Sequence, residues 1–473
     1  MGARTVRTSQ LLLSSRPAAS TTTICPQCLQ NNALYTVTST LLQSRKYHPT
    51  RRRNVSPIGA AVSAAQNLFT KGFPKAPPGV SVDPLRIVGK ELKFLSKNIR
   101  NLLGSGHPML DKVAKYYTWS EGKHVRPLLV LLMSQATAAC NNSNHSSNHN
   151  NSSNSTSSSS SSSSSSQPYN ISQPISSPLV LADANPDTSP LTAPAAELEG
   201  VFGEDPNILP AQRRLAEITE LIHTASLLHD DVIDNAVTRR SSSSANTQFG
   251  NKMAVLAGDF LLGRASVALA RLRNPEVIEL LATVIANLVE GEFMQLKNTA
   301  SDESYPVFTD ETITYYLQKT YLKTASLISK SCRAAALLGH NNTPETVEAA
   351  YSYGRNLGLA FQLVDDMLDY TVSSTQFGKP AGADLELGLA TAPLLFAWKH
   401  NPELGALVGR KFGQEGDVER ARQIVHQSDG VEQTRLLAQE YADKAVSAIQ
   451  IFPDSEAKNG LIEMCEKTMK RRK

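Results

Sequence analysis

This chain of 473 residues predicts an all-helical domain. Three observations carry that expectation. Apolar residues recur at three- and four-residue spacing through several long segments, the signature of one buried helical face. No run of strict apolar/polar alternation bounded by turns stands out, so strands are not expected. Two of the helical segments also end in carboxylate sets of identical internal spacing, DDVID at 230–234 and DDMLD at 365–369.

The elements follow in chain order. Residues 1–82 contain no Asp or Glu but ten basic residues, and they are rich in Ser and Thr. The opening MGARTVRTSQLLLSSR can form a basic amphipathic helix. Arg-rich, Ser-rich and acid-free is the composition of a mitochondrial transit peptide, with the remainder a linker. Leu11 to Leu13 is too short for a secretory core. A disordered basic arm for nucleic acid or membrane is the alternative. The rest of the chain carries 37 basic against 43 acidic residues, which argues against nucleic-acid binding by charge. No window reads as the roughly 18 apolar residues of a membrane span.

The main domain is expected over 83–473. A Ser/Asn-rich insert at about 141–210 should stay disordered, because it has almost nothing to bury. The segment 212–235 places Leu215, Ile218, Leu221, Ile222, Ala225, Leu228 and Val232 on one helical face. Further helices are expected over 276–296, 311–338 and 344–370. The five cysteines are scattered, apart from Cys25 and Cys28. That CPQC pair has metal or redox spacing but no second pair, and it lies in the presequence, so chance is the better reading.

The carboxylate sets carry the chemistry. Positions i and i+4 share a helix face, so Asp230 and Asp234 point together with Asp231 beside them. Three such carboxylates repel one another unless a cation neutralises them. Asp365, Asp366 and Asp369 repeat the pattern 135 residues later. A single set could be a solvated acidic turn. Two matched sets suit Mg²⁺, a hard cation held by a few carboxylates, waters and substrate phosphates. A diphosphate also needs cations. EGKHVRP puts Lys123 and Arg126 three apart, expected on one side of a helix turn. Arg239 and Arg240 follow the first set, Lys323 and Thr324 lie in a later helix, and Lys379 sits in GKPAGADLELG after the second set. His223 lies two turns before Asp230 on the same face. It is either a core histidine or part of a polar strip leading to the metal.

DDVID and DDMLD, together with GKHVRP, TRR, KTASLIS, FQLVDD and GKP-G-D, resemble the motifs of the trans-prenyltransferases, the all-trans polyprenyl diphosphate synthases. The resemblance covers about 84–140 and 210–473. With the presequence it is most similar to the mitochondrial enzymes that build the ubiquinone side chain, among them hexaprenyl diphosphate synthases. It implies a bundle of long helices around a deep central pocket, in a dimer or larger assembly. By motif, Asp230 and Asp234 would hold Mg²⁺, with Asp231, Asp365, Asp366 and Asp369 assisting. Lys123, Arg126, His223 and Arg240 would hold isopentenyl diphosphate. Arg239, Lys323, Thr324, Gln362 and Lys379 would contact the allylic diphosphate, and Lys323 would also serve in catalysis. Ala225 and Ser226, small residues in the turn before the first set, imply an open channel and a long product. Close packing of Ala225 on a neighbouring helix is the alternative. A greasy product suggests peripheral docking on the inner membrane.

One motif departs from the family. Gly and Pro usually follow the Arg pair within a few residues, whereas here the run is RRSSSSANTQFG. The loop thus lacks its usual stiffening residues. Two other functions remain in view. A terpene cyclase has no need of the Lys123/Arg126 set or a second DDxxD. A non-catalytic subunit of a heteromeric synthase should show eroded aspartates.

Overall fold

Helices form where the apolar spacing predicts them. The computed structural model describes residues 83–103, 105, 107–119, 124–145, 205–239, 242–300, 306–340, 343–371 and 382–471. All of these lie within one compact unit, Gly79–Lys473. The expected presequence, most of the Ser/Asn-rich insert, and Lys123, Arg240 and Lys379 lie outside the described residues.

Among the described residues, the helices of seven residues or more begin with α1 (Gly89–Leu102), α2 (Pro108–Ala114), α3 (Val125–His145), α4 (Pro210–Ile233) and α5 (Asn251–Leu272). They continue with α6 (Pro275–Ala300), α7 (Asp310–Thr320), α8 (Ser326–Leu337) and α9 (Pro344–Thr371). Five more close the chain: α10 (Ala392–Trp398), α11 (Glu403–Gly409), α12 (Asp417–Gln427), α13 (Gly430–Ala448) and α14 (Glu456–Met469). A two-residue antiparallel ladder, β1 (Thr238–Arg239) with β2 (Ser242–Ser243), pairs Thr238 with Ser243 and Arg239 with Ser242.

α4 packs against α3 on one side and α5 on the other; α8 touches α3, α4, α6 and α9; α9 in turn packs on α13 and α14. The apolar residues expected on α4 are largely buried: Leu215, Ile218, Leu221, Ile222, Ala225 and Leu228 all join the main core. A second core gathers Leu363, Val364 and Leu368 of α9 with Leu394, Leu395 and Trp398 of α10.

Two expectations are corrected and a third is refined. The segment 311–338 is continuously helical, as expected, but a π turn, Tyr321–Ala325, lies within it between α7 and α8. The helix α3 runs on to His145, into the segment expected to be disordered, because extending an existing helix costs little. Arg126 lies in the first turn of α3, whereas Lys123 lies outside the described residues. Helix α3 starts only at Val125, and His124 before it takes a left-handed φ of 39°. The helix α5 is also long and apolar enough to cross a membrane, with a mean hydropathy of 1.5 and 39% of its apolar window buried. Ala254, Ala257, Leu261, Ala265 and Ala268 of α5 are buried in the main core. Met253, Leu256 and Val267 are exposed, so both faces of the helix are apolar.

Candidate active site

Each aspartate set sits at the C-terminal end of its helix. Asp230 and Asp231 lie in the last turn of α4, and Asp234 is its C-cap. Asn235 takes a left-handed φ of 50° and ends the helix there. Asp366 and Asp369 lie near the end of α9. Neither last turn contains a basic residue. A helix C-terminus carries partial negative charge and disfavours carboxylates. Both placements therefore oppose local electrostatics, and a cation from outside the helix is the natural compensation.

The first set meets its cations across the bundle. Lys323, in the π turn, donates to Gln295 Oε1 at 3.0 Å and pairs with Glu292. Burial pushes the Asp230 carboxyl from 3.8 up to about 6; the charges of Lys323 and Arg239 oppose this, while Glu292 and Asp234 add to it. The charges of Lys323 and Arg239 thus do not fully offset the burial of Asp230. Hard oxygen donors in that state fit a divalent cation. Among the described residues, no three carboxylate, imidazole or thiol groups converge closely enough to hold a cation alone.

Asp231, expected to assist the metal, meets two protein side chains. It is fully buried. Its Oδ1 receives Arg239 Nε at 2.7 Å and Nη2 at 2.5 Å, and its Oδ2 receives the Tyr117 hydroxyl. Both oxygens accept hydrogen bonds within the protein, and Oδ1 ties Asp231 to Arg239. The pairing raises the Arg239 guanidinium's affinity for its proton against the opposing effect of burial.

The second set is similarly divided. Asp366 is buried, accepting from the Tyr316 hydroxyl at 2.5 Å and from Gln362 Nε2 at 2.8 Å. Burial raises its carboxyl, against those hydrogen bonds and the charge of Lys319. Gln362 Oε1 accepts from Thr324 at 2.9 Å. Asp369 accepts the Asp384 backbone N–H at 3.4 Å. Asp365 pairs with Arg471 at 2.5 Å, and that guanidinium lies 4.5 Å from the Phe361 ring centroid.

The π turn joins the two halves. Lys323 faces the first set's neighbours, and the adjacent Thr324 reaches the second set through Gln362. An extra residue in a helical turn shifts the register by about 100° relative to an unbroken helix. Two glycines make room for it. A Cβ on Gly358 would lie 2.6 Å from Ala325 Cα, and one on Gly291 would lie 2.6 Å from Lys323 Cγ.

A third cluster gathers at the start of α3. Arg126 Nη1 donates to His223 Nε2 at 2.9 Å. His124 Nδ1 lies 3.2 Å from Glu220 Oε1. One turn of α4 therefore supplies Glu220 and His223 to hold two residues of the GKHVRP motif. Ala225 is fully buried; Ser226 is partly buried and donates to the His223 carbonyl at 2.9 Å.

Sequence reasoning missed Tyr117, Glu292, Gln295, Tyr316, Lys319, Asp384 and Arg471. Glu292 and Gln295 carried a usable signal, since polar residues three apart interrupt the apolar GEFMQL run. The others depend on which helices become neighbours.

This fold and site define an all-α isoprenoid synthase. A family model described as polyprenyl synthetase matches residues 193–425. The chain is 60% identical to the probable mitochondrial hexaprenyl pyrophosphate synthase of Neurospora crassa, over 100% of this chain and 98% of that one. It is 46% identical to the mitochondrial hexaprenyl pyrophosphate synthase of Saccharomyces cerevisiae, over 89% of this chain and 96% of that one. A polyprenyl synthase from Caulobacter crescentus, solved with calcium and isoprenyl diphosphate, is similar with a TM-score of 0.63 at 26% identity, over 84% of this chain and 100% of that one. The chain belongs to the polyprenyl synthetase family and is a prenyltransferase of the mitochondrion, a long-chain all-trans polyprenyl diphosphate synthase.

Proposed function

We propose that this enzyme joins isopentenyl diphosphate to an allylic diphosphate at a Mg²⁺ site between the two aspartate sets. Asp230 and Asp234 are the metal ligands of the first set, and Asp365 is that of the second. The observation that carries this reading is Asp230, largely buried at a helix C-terminus with Asp234 as the C-cap and Lys323 nearby. When bound, Mg²⁺ supplies positive charge against the departing diphosphate.

The protein's own residues do the remainder. Lys323 and Arg239 contribute fixed charge where negative charge develops as the allylic C–O bond ionises. Thr324 and Gln362 orient the same substrate, with Lys379. Arg126, kept in place by His223, holds isopentenyl diphosphate together with Lys123 and Arg240. Its double bond attacks the allylic cation, and the proton passes to the released diphosphate. The apolar helix faces exclude water, which would quench the cation. Asp231 and Asp366 act by holding Arg239 and Gln362.

The test is a product assay with the full chain, Mg²⁺, labelled isopentenyl diphosphate and farnesyl diphosphate. Products of six isoprene units or more are expected, the length named for the fungal relatives. Chelation should stop the reaction. Elongation that survives chelation would sink the metal reading. No elongation by this chain alone would favour a subunit of a heteromeric synthase.

Assembly is part of this proposal. Leu256 and Val267 of α5 and Val289, Phe293 and Leu296 of α6 are exposed, Phe293 to 69%. An apolar face of this kind on neighbouring helices suits a two-fold contact with a second copy. Light scattering should give a dimer or larger for the wild type and a monomer for Leu256→Glu/Phe293→Glu. A wild-type monomer that floats with anionic vesicles would assign the face to the membrane surface instead.

A further inference from the structure

We infer that Tyr117 is a positioning residue that holds Arg239, and the loop that follows it, in register with the first aspartate set. The inference rests on the proposed contact between Arg239 and the allylic diphosphate. A phenol hydroxyl can donate and accept at once, and Tyr117 does both. It donates to Asp231 Oδ2 and accepts the Ala245 backbone N–H at 2.8 Å. Asp231 passes the constraint on, through the two bonds its Oδ1 receives from Arg239. Tyr117, Asp231 and Ala245 are each less than a tenth exposed, so water cannot readily replace these bonds.

The surroundings show what stiffens a loop that lacks the Gly and Pro of its family. Ser244 Oγ donates to the Ala236 carbonyl at 2.5 Å, and Ser244 N donates to the Val237 carbonyl at 3.0 Å. Tyr116 donates to the Ser243 carbonyl at 2.9 Å and meets the Phe249 ring edge-on at 5.1 Å. The adjacent tyrosines thus clamp both the far strand of the ladder and the start of the helical turn behind it. Without the Tyr117 hydroxyl, Asp231 would keep Arg239 but lose its own anchor. Arg239 would then sample positions off the diphosphate.

The experiment compares Tyr117→Phe, Arg239→Lys and the double variant in the full chain. It measures KM for each substrate, kcat, the dissociation constant of labelled farnesyl diphosphate by equilibrium dialysis, and the melting temperature. Tyr117→Phe should raise KM and the dissociation constant for the allylic diphosphate about tenfold. KM for isopentenyl diphosphate should stay within about twofold. The double variant should be no worse than Arg239→Lys alone, because both changes act through one guanidinium. Equal losses for both substrates alongside a lower melting temperature would overturn the inference, leaving Tyr117 a purely structural residue. Independent, multiplying effects in the double variant would overturn it as well. If Arg239→Lys leaves allylic binding unchanged, the underlying contact is wrong and the inference falls with it.

Discussion

Asp230→Ala is expected to abolish chain elongation, lowering kcat/KM by about 10³-fold or more, while the metal-free protein melts no lower than wild type. The two halves of this result have one cause. Asp230 sits partly buried beside Glu292 and Asp234 at the end of a helix, and its carboxyl is pushed up to about 6. A carboxylate whose folded pKa exceeds its unfolded value destabilises the fold once ionised. The penalty is absent below the ordinary value of 3.8, grows as pH rises from there to about 6, and is constant above that. At neutral pH, then, removing the group relieves the cost of burying a charge beside Glu292 and Asp234 when no metal is bound. The same carboxylate is what a divalent cation and a diphosphate would need, so a site tuned for binding costs stability when empty. Thermal melts of both proteins with EDTA, beside initial rates with Mg²⁺, check the pair of outcomes. A fall of several degrees in the variant would mean that Asp230 supports the fold. Near wild-type elongation would remove it from the metal site.

How much of this was legible in the sequence depends on the range of the interaction. The long helices were readable because burial of one face imposes a spacing within a single element. Leu215, Ile218 and Leu221 on α4 are an instance. The carboxylate sets were readable for the same reason, since i and i+4 on a helix are neighbours whatever the rest of the chain does. The π turn within 311–338 was not readable. Nothing in YLKTA forbids an α-helix, and the π turn accompanies close backbone approach at Gly358, supplied by another helix.

The roles within each set were also beyond a local reading. Asp230 and Asp231 are adjacent and chemically identical. One faces Lys323, while the other is consumed by Tyr117 and Arg239. Only the packing of the Tyr116–Trp119 turn and the β1–β2 ladder around α4 separates them. The serine-rich loop makes the converse point. Its composition suggested slackness, yet Ser244 and two tyrosines provide the hydrogen bonds that Gly and Pro would have made unnecessary. Arg471 was not legible as a site residue. Its pairing with Asp365 across 106 residues is a property of the fold.

Replacing Ala225 by Phe is expected to convert this synthase into a short-chain enzyme, stopping after one or two additions to a farnesyl primer. Ala225 lies five residues before Asp230, about 7.5 Å along the helix. A ring placed there would stand where the growing tail leaves the diphosphate site. Ala225 is fully buried, as both readings of it require. A wall residue of a closed, apolar channel is buried, and so is a small residue wedged between helices. The two readings part on what the added volume does. If Ala225 borders the channel, Phe fills space that the product would otherwise occupy, the melting temperature holds, and chromatography of the dephosphorylated products shows an early stop. If it is wedged against a neighbouring helix, the extra volume forces side chains off their rotamers at about 1–3 kcal/mol. Melting then falls by several degrees while the product keeps its length. Ser226→Phe is the companion measurement, because Ser226 is only partly buried and its hydroxyl caps the His223 carbonyl. Its substitution should shorten the product with a smaller change in stability. Full-length product from both variants would move the control of chain length away from this turn and deeper into the bundle.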